Sequence, residues 1–241
     1  MQSYSSRDAG GAAVRGDGGK PATLTLQALK VIRNAILGGL FKPGGRITER
    51  ELCELTRVSR TAVREALRRL EVEGLITYTP NRGPIVSRIT ADGVHQIFQV
   101  RLALEGLAAQ QFALRATSAE LEALAESYEQ IAATHEARDV DGFIAATDHF
   151  YEIILSGSGN DVIHTIVNSL RARLTYLRTL ALTHRERGTE TIRSTRRLVE
   201  ALRTHDPQAS RDALAQHLAV VENRTLQALH RLQPAPETEP T

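Results

Sequence analysis

The chain has 241 residues, of which 41% are hydrophobic and 24% are charged, a composition that fits one or two globular domains. Its single cysteine, Cys53, excludes an internal disulfide framework and suits a reducing cytoplasm. No apolar run approaches the roughly 20 residues that a membrane-spanning helix needs. We therefore expect a soluble, cytoplasmic protein that has no membrane partner.

The two ends of the chain differ from the rest in composition. Residues 1–23 are rich in Gly, Ala and Arg and lack the apolar core of a signal peptide, so a disordered arm is predicted there. Residues 233–241, with the sequence QPAPETEPT, are predicted to form a disordered tail. The fold is therefore expected within residues 24–232.

Charge divides this folded part into two modules. Residues 24–90 carry 12 Lys and Arg against 6 Asp and Glu, whereas residues 91–241 carry 15 against 20. The net charge of +2 hides this asymmetry. A small basic module followed by a larger, mildly acidic one suggests that only the first binds a polyanion.

The basic module begins with two predicted helices. Apolar residues at a helical period indicate a first helix that closes near Gly38 and Gly39. After a Pro-Gly turn, Thr48 and Glu51 match a capping box, so a second helix should begin at Glu49. The apolar residues expected inside these helices are Leu26, Leu29, Ile32, Ile36, Leu52 and Leu55.

A third helix follows after only four residues, 56–59, and this tight spacing is typical of a helix-turn-helix. Its sequence, VSRTAVREALRRLEVEGLI from residue 58, has one apolar stripe at helical spacing and keeps its arginines off that stripe. Ser59 or Thr61 can cap its start, and Gly74 can end it in a left-handed conformation. The following LITYTPNRGPIVSRI alternates and is interrupted by PNRG, which predicts a two-stranded wing.

The arginines of the third helix have a physical explanation in this arrangement. In a winged helix-turn-helix, that helix enters the DNA major groove by its N-terminal end. Arginine there can donate two hydrogen bonds to guanine, while hydroxyl groups and the helix N-terminus suit phosphate. A solvated basic face is the alternative interpretation, and the surrounding motif disfavours it. The candidate DNA-contacting residues are Arg50, Ser59, Arg60, Thr61, Ala62 and Arg64.

The acidic module is predicted to be an all-α antiparallel bundle, because only helical periodicity follows residue 90. Six helices are expected. The first runs from about Ala91 to Arg115, the second follows a cap at Thr117 or Ser118, and the third runs from about Asp141 to SGSGN. The fourth follows Asn160 and ends at a break at THRERGT, the fifth runs from Ile192 to Leu202, and the sixth begins at Pro207. The fourth of these is expected to turn Ile163, Ile166, Leu170, Leu174 and Leu177 inward.

The sequence holds no motif of the common enzyme classes. It has no GxSxG, no phosphate-binding glycine loop, no HExxH and no paired cysteine ligands. We therefore expect a binding protein and not an enzyme. Two alternatives remain open at this point: a helical enzyme joined to a DNA-binding module, and an architectural DNA-binding dimer that has no effector.

The first module resembles the winged-helix domain of the GntR family of bacterial transcription regulators over residues 24–88. The likeness lies in ITERELCELTRVSRTAVREALRRLEVEGLITYTPNRGPIV, where the ER-E-L, SRT-VREAL-RL and EGL segments occur in register. The resemblance implies DNA contacts by the helix residues named above, and minor-groove contacts by the wing tip, Asn81, Arg82 and Gly83. At position 57 this sequence has arginine, whereas the family usually has glycine. A residue other than glycine there implies a strained left-handed conformation or an altered turn.

The second module resembles the FadR-type effector domain (FCD domain) of one branch of that family over residues 91–232. The likeness is carried, in this order, by RLALEGLAAQQFA from residue 101, FYEIILSGSGN and RRLVEALRTHDPQASRDALAQHL. The resemblance implies a ligand-responsive transcription regulator, usually a repressor, that binds operator DNA as a homodimer.

Polar residues interrupt two apolar stripes of the bundle. Arg101 and Glu105 lie on the stripe of its first helix, and a buried charge is costly unless it is paired. Arg101 either pairs with Glu105 four residues further on, or binds an anionic ligand, as its family position implies. His217 lies on the stripe of the last helix and is either a hydrogen-bonded core residue or a ligand-binding one.

Many relatives in this branch hold a divalent metal with an Asp and a His at i, i+4 and two later histidines. Aligned by the resemblance, these four positions are Thr147, Tyr151, Thr195 and His217. One imidazole with a phenol and two hydroxyls does not suit a transition metal. We therefore expect no metal and no other cofactor.

The same positions predict a metal-free pocket for a small organic anion. The residues expected to hydrogen-bond this effector are Arg101, Thr147, Tyr151, Thr195 and His217. Asp148 and His149 are expected to point elsewhere, because a helix turns by about 100° per residue. A cavity filled by side chains, without any effector, is the alternative.

Overall fold

The computed structural model describes residues 21–79, 82–182 and 189–232. Twelve elements lie within these ranges. They are α1 (Pro21–Leu37), α2 (Glu49–Thr56), α3 (Arg60–Val72), β1 (Ile76–Thr79), β2 (Gly83–Val86), α4 (Ala91–Arg115), α5 (Ser118–Ala137), α6 (Val140–Gly157), α7 (Asp161–Ser169), α8 (Arg171–Leu182), α9 (Thr189–Leu202) and α10 (Pro207–Leu232).

The first module is a winged helix-turn-helix. Helices α1, α2 and α3 pack on one another, and β1 pairs with β2 in an antiparallel hairpin whose register joins Ile76 to Val86. The apolar stripes of the helices and one face of the hairpin share a core. Its buried members are Ala28, Leu29, Ile32, Ile36, Ile47, Leu52, Val63, Ala66, Leu67, Leu70, Leu75, Ile76 and Val86.

The turn between α2 and α3 confirms the predicted local chemistry. Thr48 and Glu51 form the capping box, with the Glu51 carboxylate accepting from the Thr48 N–H at 2.9 Å. Arg57 ends α2 in a left-handed conformation with φ 56°, as expected of a residue in the glycine position. Ser59, and not Thr61, caps α3 by accepting from the Ala62 N–H at 3.4 Å.

The start of the first helix differs from the prediction. The arm was expected to extend to residue 23, whereas α1 begins at Pro21. Proline suits the first helical position because its fixed φ matches a helix and its missing N–H would have no partner there. Most of the predicted arm, residues 1–20, and the predicted tail, residues 233–241, lie outside the described residues.

The second module is a helical bundle centred on α4 and α10, the two longest helices, which pack along each other. Helices α5, α6 and α9 pack around this pair, and Phe98, Phe112, Phe150 and Tyr151 supply its aromatic core. None of the helices in the described ranges combines the length and apolar character that crossing a membrane requires.

The segment predicted to form the fourth helix of the bundle forms two helices, so the prediction is wrong in this respect. A turn at Leu170, whose N–H donates to Val167 at 3.0 Å, separates α7 from α8. Ile163 and Val167 of α7 pack beside α4, whereas Leu177 of α8 belongs to the main core, so the chain changes direction between them. Ile166, predicted to face inward, is 42% exposed. The bundle therefore has seven helices within the described residues, not six.

The following helix also begins earlier than expected. Helix α9 starts at Thr189, three residues before the predicted Ile192. The predicted break at THRERGT falls on residues 183–188 and Thr189, and the first six of these lie outside the described ranges.

Candidate functional site

The N-terminal turn of α3 presents most of the predicted DNA-contacting residues to solvent. Ser59, Arg60, Thr61 and Arg64 are exposed there. Ala62, whose contact with DNA stays a prediction, is only 7% exposed and belongs to the buried side of the helix. The reason is the helical period, which places Ala62 on the same side as Ala66, four residues further on.

Arginines at this surface differ in their intramolecular partners. Arg64 donates from Nε to the Glu49 carboxylate at 2.7 Å, a contact that joins the first turn of α2 to α3. Glu65 lies within ion-pair distance of both Arg68 and Arg69. Arg60 has no carboxylate partner among the described residues. It is therefore the arginine of α3 whose charge is least compensated.

The other predicted DNA-contacting residues flank this turn. Arg50 is exposed in the first turn of α2. In the wing, Arg82 is exposed, and Gly83 has φ 75° with open space around the position of an added Cβ. Asn81 lies outside the described residues. The exposed predicted residues thus lie in the first turn of α2, in the first turn of α3 and in the described part of the wing tip. All three belong to the same small module.

The buried centre of the bundle contains the predicted Arg101–Glu105 pair. Arg101 donates to both carboxylate oxygens of Glu105, at 2.8 and 3.1 Å, and both residues are at most 3% exposed. The guanidinium also lies over the rings of Phe98 and Tyr151, 5.0 and 5.1 Å from their centroids. Burial alone would lower the pKa of Arg101, but Glu105 and Tyr151 raise it above the ordinary value. The bundle therefore supplies a partner for the buried guanidinium within its own first helix.

A directional hydrogen-bond chain continues from this pair. The Tyr151 ring lies against the Arg101 guanidinium, the Tyr151 hydroxyl lies 3.0 Å from Nε2 of His217, and Nδ1 of His217 lies 2.9 Å from the Ser194 hydroxyl. Ser194 in turn donates to the Thr191 carbonyl at 2.9 Å. Because the Ser194 hydroxyl donates its proton to this carbonyl, its oxygen accepts from Nδ1–H of His217. Nε2 of His217 then accepts from the Tyr151 hydroxyl.

The neutral form of His217 fits this chain. Burial, followed by the positive charges of Arg101 and Arg178, lowers the pKa of His217 to about 3. An imidazolium would make Nε2 a donor, so that Nε2 could no longer accept from the Tyr151 hydroxyl. The structure therefore brings Arg101, Tyr151 and His217 together as a buried polar cluster.

The two remaining predicted effector residues bond to their own helices. The Thr147 hydroxyl donates to the Phe143 carbonyl at 2.7 Å, and the Thr195 hydroxyl donates to the Thr191 carbonyl at 2.8 Å. Thr195 is buried and Thr147 is half-buried. Such back-bonding to the fourth preceding residue is common for threonine in helices. Neither hydroxyl donates to the cluster around Arg101.

Two functional candidates were missed from the sequence. Arg178 of α8 pairs with Asp148 of α6 and lies over the Tyr151 ring at 5.4 Å. The expectation that Asp148 points away from the pocket is therefore wrong, because it lies beside the same small cavity as Tyr151, while His149 is exposed. The available signal was the position of Arg178, four residues after the inward Leu174 and so on the same face of the helix, by the reasoning applied to Arg101.

The cavity beside this cluster is small. It has a volume of about 20 Å³, room for about one water molecule. Its lining residues are Glu105, Asp148, Tyr151, Glu152, Leu155, Val167, Asn168, Leu174 and Arg178. Three of them also line an open surface depression of about 500 Å³, together with His149. Across the described parts of the chain, no three His, Cys, Asp or Glu residues group closely enough to hold a metal ion.

Helix α8 connects this cluster to the winged helix. Arg173 donates from Nε to the backbone carbonyl of Glu73, the residue that ends α3, at 2.9 Å. Its guanidinium lies against Gly74, which has φ 71°, and an added Cβ there would require the Arg173 side chain to shift. Tyr176 packs against the core of the first module. Helix α8 thus contacts the end of α3 through Arg173 and the buried cluster through Arg178, five residues further along the chain.

A winged helix-turn-helix joined to a helical bundle with a buried polar centre is the architecture of a DNA-binding transcription regulator. The family described as "Bacterial regulatory proteins, gntR family" matches residues 24–86, and the FCD domain matches residues 96–220. The chain belongs to the GntR family of transcription regulators and carries an FCD domain.

Individual relatives agree with this assignment. The chain is 29% identical over 199 residues to the uncharacterized HTH-type transcriptional regulator YdhC of Bacillus subtilis (strain 168), covering 82% of this chain and 89% of that protein. It is 26% identical over 201 residues to the HTH-type transcriptional repressor RspR of Escherichia coli (strain K12), covering 83% and 88%. A solved GntR transcriptional regulator from Rhodococcus sp. RHA1 superposes with a TM-score of 0.70 at 25% identity, covering 86% and 99%.

Proposed function

We propose that this regulator is a cytoplasmic repressor without catalytic activity, which binds operator DNA as a homodimer and responds to a small organic anion. Residues 24–88 form its DNA-binding domain and residues 91–232 its effector-binding and dimerisation domain. The observation that carries the proposal is the exposed N-terminal turn of α3, where Arg60 has no carboxylate partner within the described part of the chain. The Escherichia coli relative, which is named a repressor, supports the direction of regulation.

The DNA-binding step follows from the geometry of that turn. The N-terminal end of α3 enters the major groove, where Arg60 reaches a base edge and the Ser59 and Thr61 hydroxyls approach phosphate. Arg64 must leave Glu49 to do the same, so Glu49 competes with DNA for it. The wing residues Arg82 and Gly83 approach the adjacent minor groove.

Binding of the effector requires rearrangement of the buried cluster. The carboxylate of an organic anion that pairs with Arg101 through Nε and Nη2 must take the place of Glu105, which now accepts from both groups. A cavity of about 20 Å³ must also enlarge. The ligand therefore displaces Glu105 and shifts α8, whose Arg178 faces the cluster and whose Arg173 bonds the end of α3.

A constitutive DNA-binding dimer without an effector is the second candidate function. The Arg101–Glu105 pair, the hydrogen bonds of both His217 nitrogens and the small cavity favour it, because these groups already have partners inside the bundle. Glu105→Gln separates the two functions. It weakens the competitor for Arg101, so a carboxylate effector should bind the variant more tightly than the wild type.

The decisive experiment is selection of a binding sequence from a random duplex library, followed by gel shift with the selected duplex. Wild type should select an inverted repeat, and raising the salt should weaken binding with a log–log slope of about −0.9 per phosphate contact. Arg60→Ala should lose the shift, whereas Arg193→Ala, an exposed arginine of the bundle, should retain it. Failure of the wild type to enrich any duplex would refute the proposal.

The effector is then tested by adding single metabolites from a panel of organic acids. An acid that releases DNA from the wild type, and does so at lower concentration with Glu105→Gln, supports the ligand-responsive repressor. If DNA binding is intact and no acid changes it in either protein, the constitutive dimer is the better description.

A further inference from the structure

A cleft lies between the winged helix and the bundle, and both modules line it. It has a volume of about 570 Å³, within the range of roughly 300–1,000 Å³ that is usual for small-molecule sites. The first module lines it with the ends of α1 and α3 and with both strands of the wing, and the bundle lines it with α4 and α8. Its apolar residues include Leu75, Ile76, Val86, Ile89, Ile97 and Leu170.

The charged groups of the cleft are two arginines and one carboxylate, Arg88, Arg173 and Glu71. Arg173 is half-buried, and its Nε donates to the Glu73 carbonyl at 2.9 Å. The exposed Arg88 lies against Gly44. Within the ranges that the structure describes, no carboxylate forms an ion pair with either guanidinium. The lining of the cleft therefore carries one positive charge in excess.

Neutral hydrogen-bonding groups lie beside Arg173. Gln96 of α4 and Tyr176 of α8 both line the cleft. Burial raises the pKa of Tyr176, so its phenol is protonated at neutral pH and can donate. The cleft thus combines apolar walls with a few polar donors, which is the usual composition of a small-molecule site.

We propose that this cleft binds a monoanionic amphipathic ligand. Its carboxylate pairs with the Nη groups of Arg173, and its hydrocarbon body covers the apolar residues of both modules. A single negative charge matches the excess charge of the lining, whereas a second one would meet the Glu71 carboxylate. An uncharged ligand of the same size would leave the guanidinium of Arg173 without a counter-charge.

The inference goes beyond the proposed function, which assigns the effector to the buried cluster around Arg101. The cleft shares no lining residue with the cavity of about 20 Å³ beside that cluster. A ligand in the cleft contacts the winged helix and the bundle together, so it binds this arrangement of the modules more tightly than one in which they separate. Its occupancy therefore favours the arrangement seen in the structure.

The first test is isothermal titration calorimetry of the full-length protein with three ten-carbon probes. Decanoate has one carboxylate on an apolar chain, decylamine reverses the charge, and sebacate adds a second carboxylate. Decanoate should bind at one site per chain, and the other two should bind at least about 10-fold more weakly, since a hydrogen bond to a charged group is worth this much. Equal affinity for the three probes, or no binding of decanoate, overturns the proposal.

The second test places the decanoate in the cleft by filling it. Gln96→Trp puts an indole into the cleft and should weaken decanoate binding about 10-fold or more, because the volume lost is the volume that the hydrocarbon chain needs. Gln99→Trp is the matched control, since Gln99 is an exposed glutamine of the same helix that does not line the cleft. It should bind as the wild type does. Equal affinities of the two variants contradict the proposed site.

The charge of Arg173 is tested in the same assay. Arg173→Gln should weaken decanoate binding about 10-fold or more, whereas Arg173→Lys, which keeps the charge, should lose less. Equal losses in these two variants would show that the carboxylate does not pair with this side chain.

The outcomes separate this inference from the proposed function. If His217→Gln abolishes decanoate binding and Gln96→Trp does not change it, the anion binds at the buried cluster, so the cleft fails and the proposed effector site gains support. If decanoate binds in the cleft and no duplex is selected by the wild type, the cleft stands and the proposed function fails.

Discussion

The hydroxyl of Tyr151 lies 3.0 Å from Nε2 of His217, in a part of the bundle where both residues are less than 10% exposed. This contact joins α6 to α10 and places a titratable imidazole at the end of a chain that begins at Arg101. The bundle therefore keeps one histidine neutral over the whole physiological range of pH.

The buried histidine should make stability depend on pH. Burial, Arg101 and Arg178 lower the pKa of His217 to about 3, against about 6.5 in the unfolded chain. Between these values the unfolded chain binds the extra proton, so the free energy of unfolding should rise with pH, by up to about 1.4 kcal/mol per pH unit. This stability is complete above pH 6.5 and is lost as the pH falls towards 3.

Urea unfolding between about pH 5 and 7 checks this expectation, because most carboxylates do not titrate there. His217→Gln should show a shallower slope than the wild type. The exposed His149→Gln should keep the wild-type slope. Equal slopes for wild type and His217→Gln would show that the imidazole is not held neutral.

Removing the Glu105 carboxylate should destabilise the bundle strongly. Glu105→Gln leaves the buried guanidinium of Arg101 without its counter-charge, which costs about 3–5 kcal/mol. The matched control is Glu200→Gln, which breaks an exposed i, i+4 pair with Arg196 and should cost about 0.5 kcal/mol or less. Both are measured by urea unfolding at neutral pH. A loss of equal size in the two variants would contradict a buried ionised pair.

Replacing Arg57 with glycine should stabilise the winged helix. Arg57 holds φ 56°, a conformation that costs an L-residue about 1–2 kcal/mol and glycine almost nothing. After allowance for the greater entropy of glycine in the unfolded chain, Arg57→Gly should gain about 0.5–1 kcal/mol. Arg68→Gly, in the middle of α3, should instead lose about 1 kcal/mol. Thermal unfolding measures both changes, and a loss for Arg57→Gly would exclude strain at this turn.

The arginines of α3 should differ in their effect on DNA affinity. Arg60→Ala and Arg64→Ala should each weaken binding to a selected duplex about 5- to 150-fold. Arg69→Ala, further along the helix and close to Glu65, should weaken it less and equally on all sequences. Glu49→Ala should strengthen binding, because it releases Arg64. Titration by fluorescence anisotropy gives these ratios. Equal losses of affinity for the three arginine variants would contradict the proposed placement of α3 in the groove.

Local patterns in the sequence were enough to predict most of the helices, both strands and part of the buried polar cluster. The capping box at Thr48, the left-handed Arg57 and the Arg101–Glu105 pair all depend on residues at most four positions apart. Contacts between distant residues were not predictable in this way. Arg178 meets Asp148 across 30 residues and Arg173 meets Glu73 across 100, because tertiary packing selects them.

The turn at Leu170 was missed for a related reason. Helical periodicity continues in the sequence through Ile163, Val167, Leu174 and Leu177, so a single helix is the simplest interpretation. The two halves nevertheless face different cores, and only the packing of α7 against α4 shows that the chain must turn between them. The burial of Ala62 was not predicted, because likeness to DNA-contacting positions does not report how deeply a small side chain is packed.

The contact between Arg173 and the end of α3 has a consequence for protein engineering. The chain passes from one module to the other at residues 87–90, and a hybrid regulator would ordinarily be cut and rejoined there. A foreign DNA-reading module grafted at that point would meet Arg173 and Tyr176, which fit a glycine at position 74 and the carbonyl before it. An incoming module with a side chain at that position would displace the Arg173 guanidinium and so cost its hydrogen bond to the preceding carbonyl. A hybrid keeps this contact when the first half of α8 is exchanged together with the module that it serves.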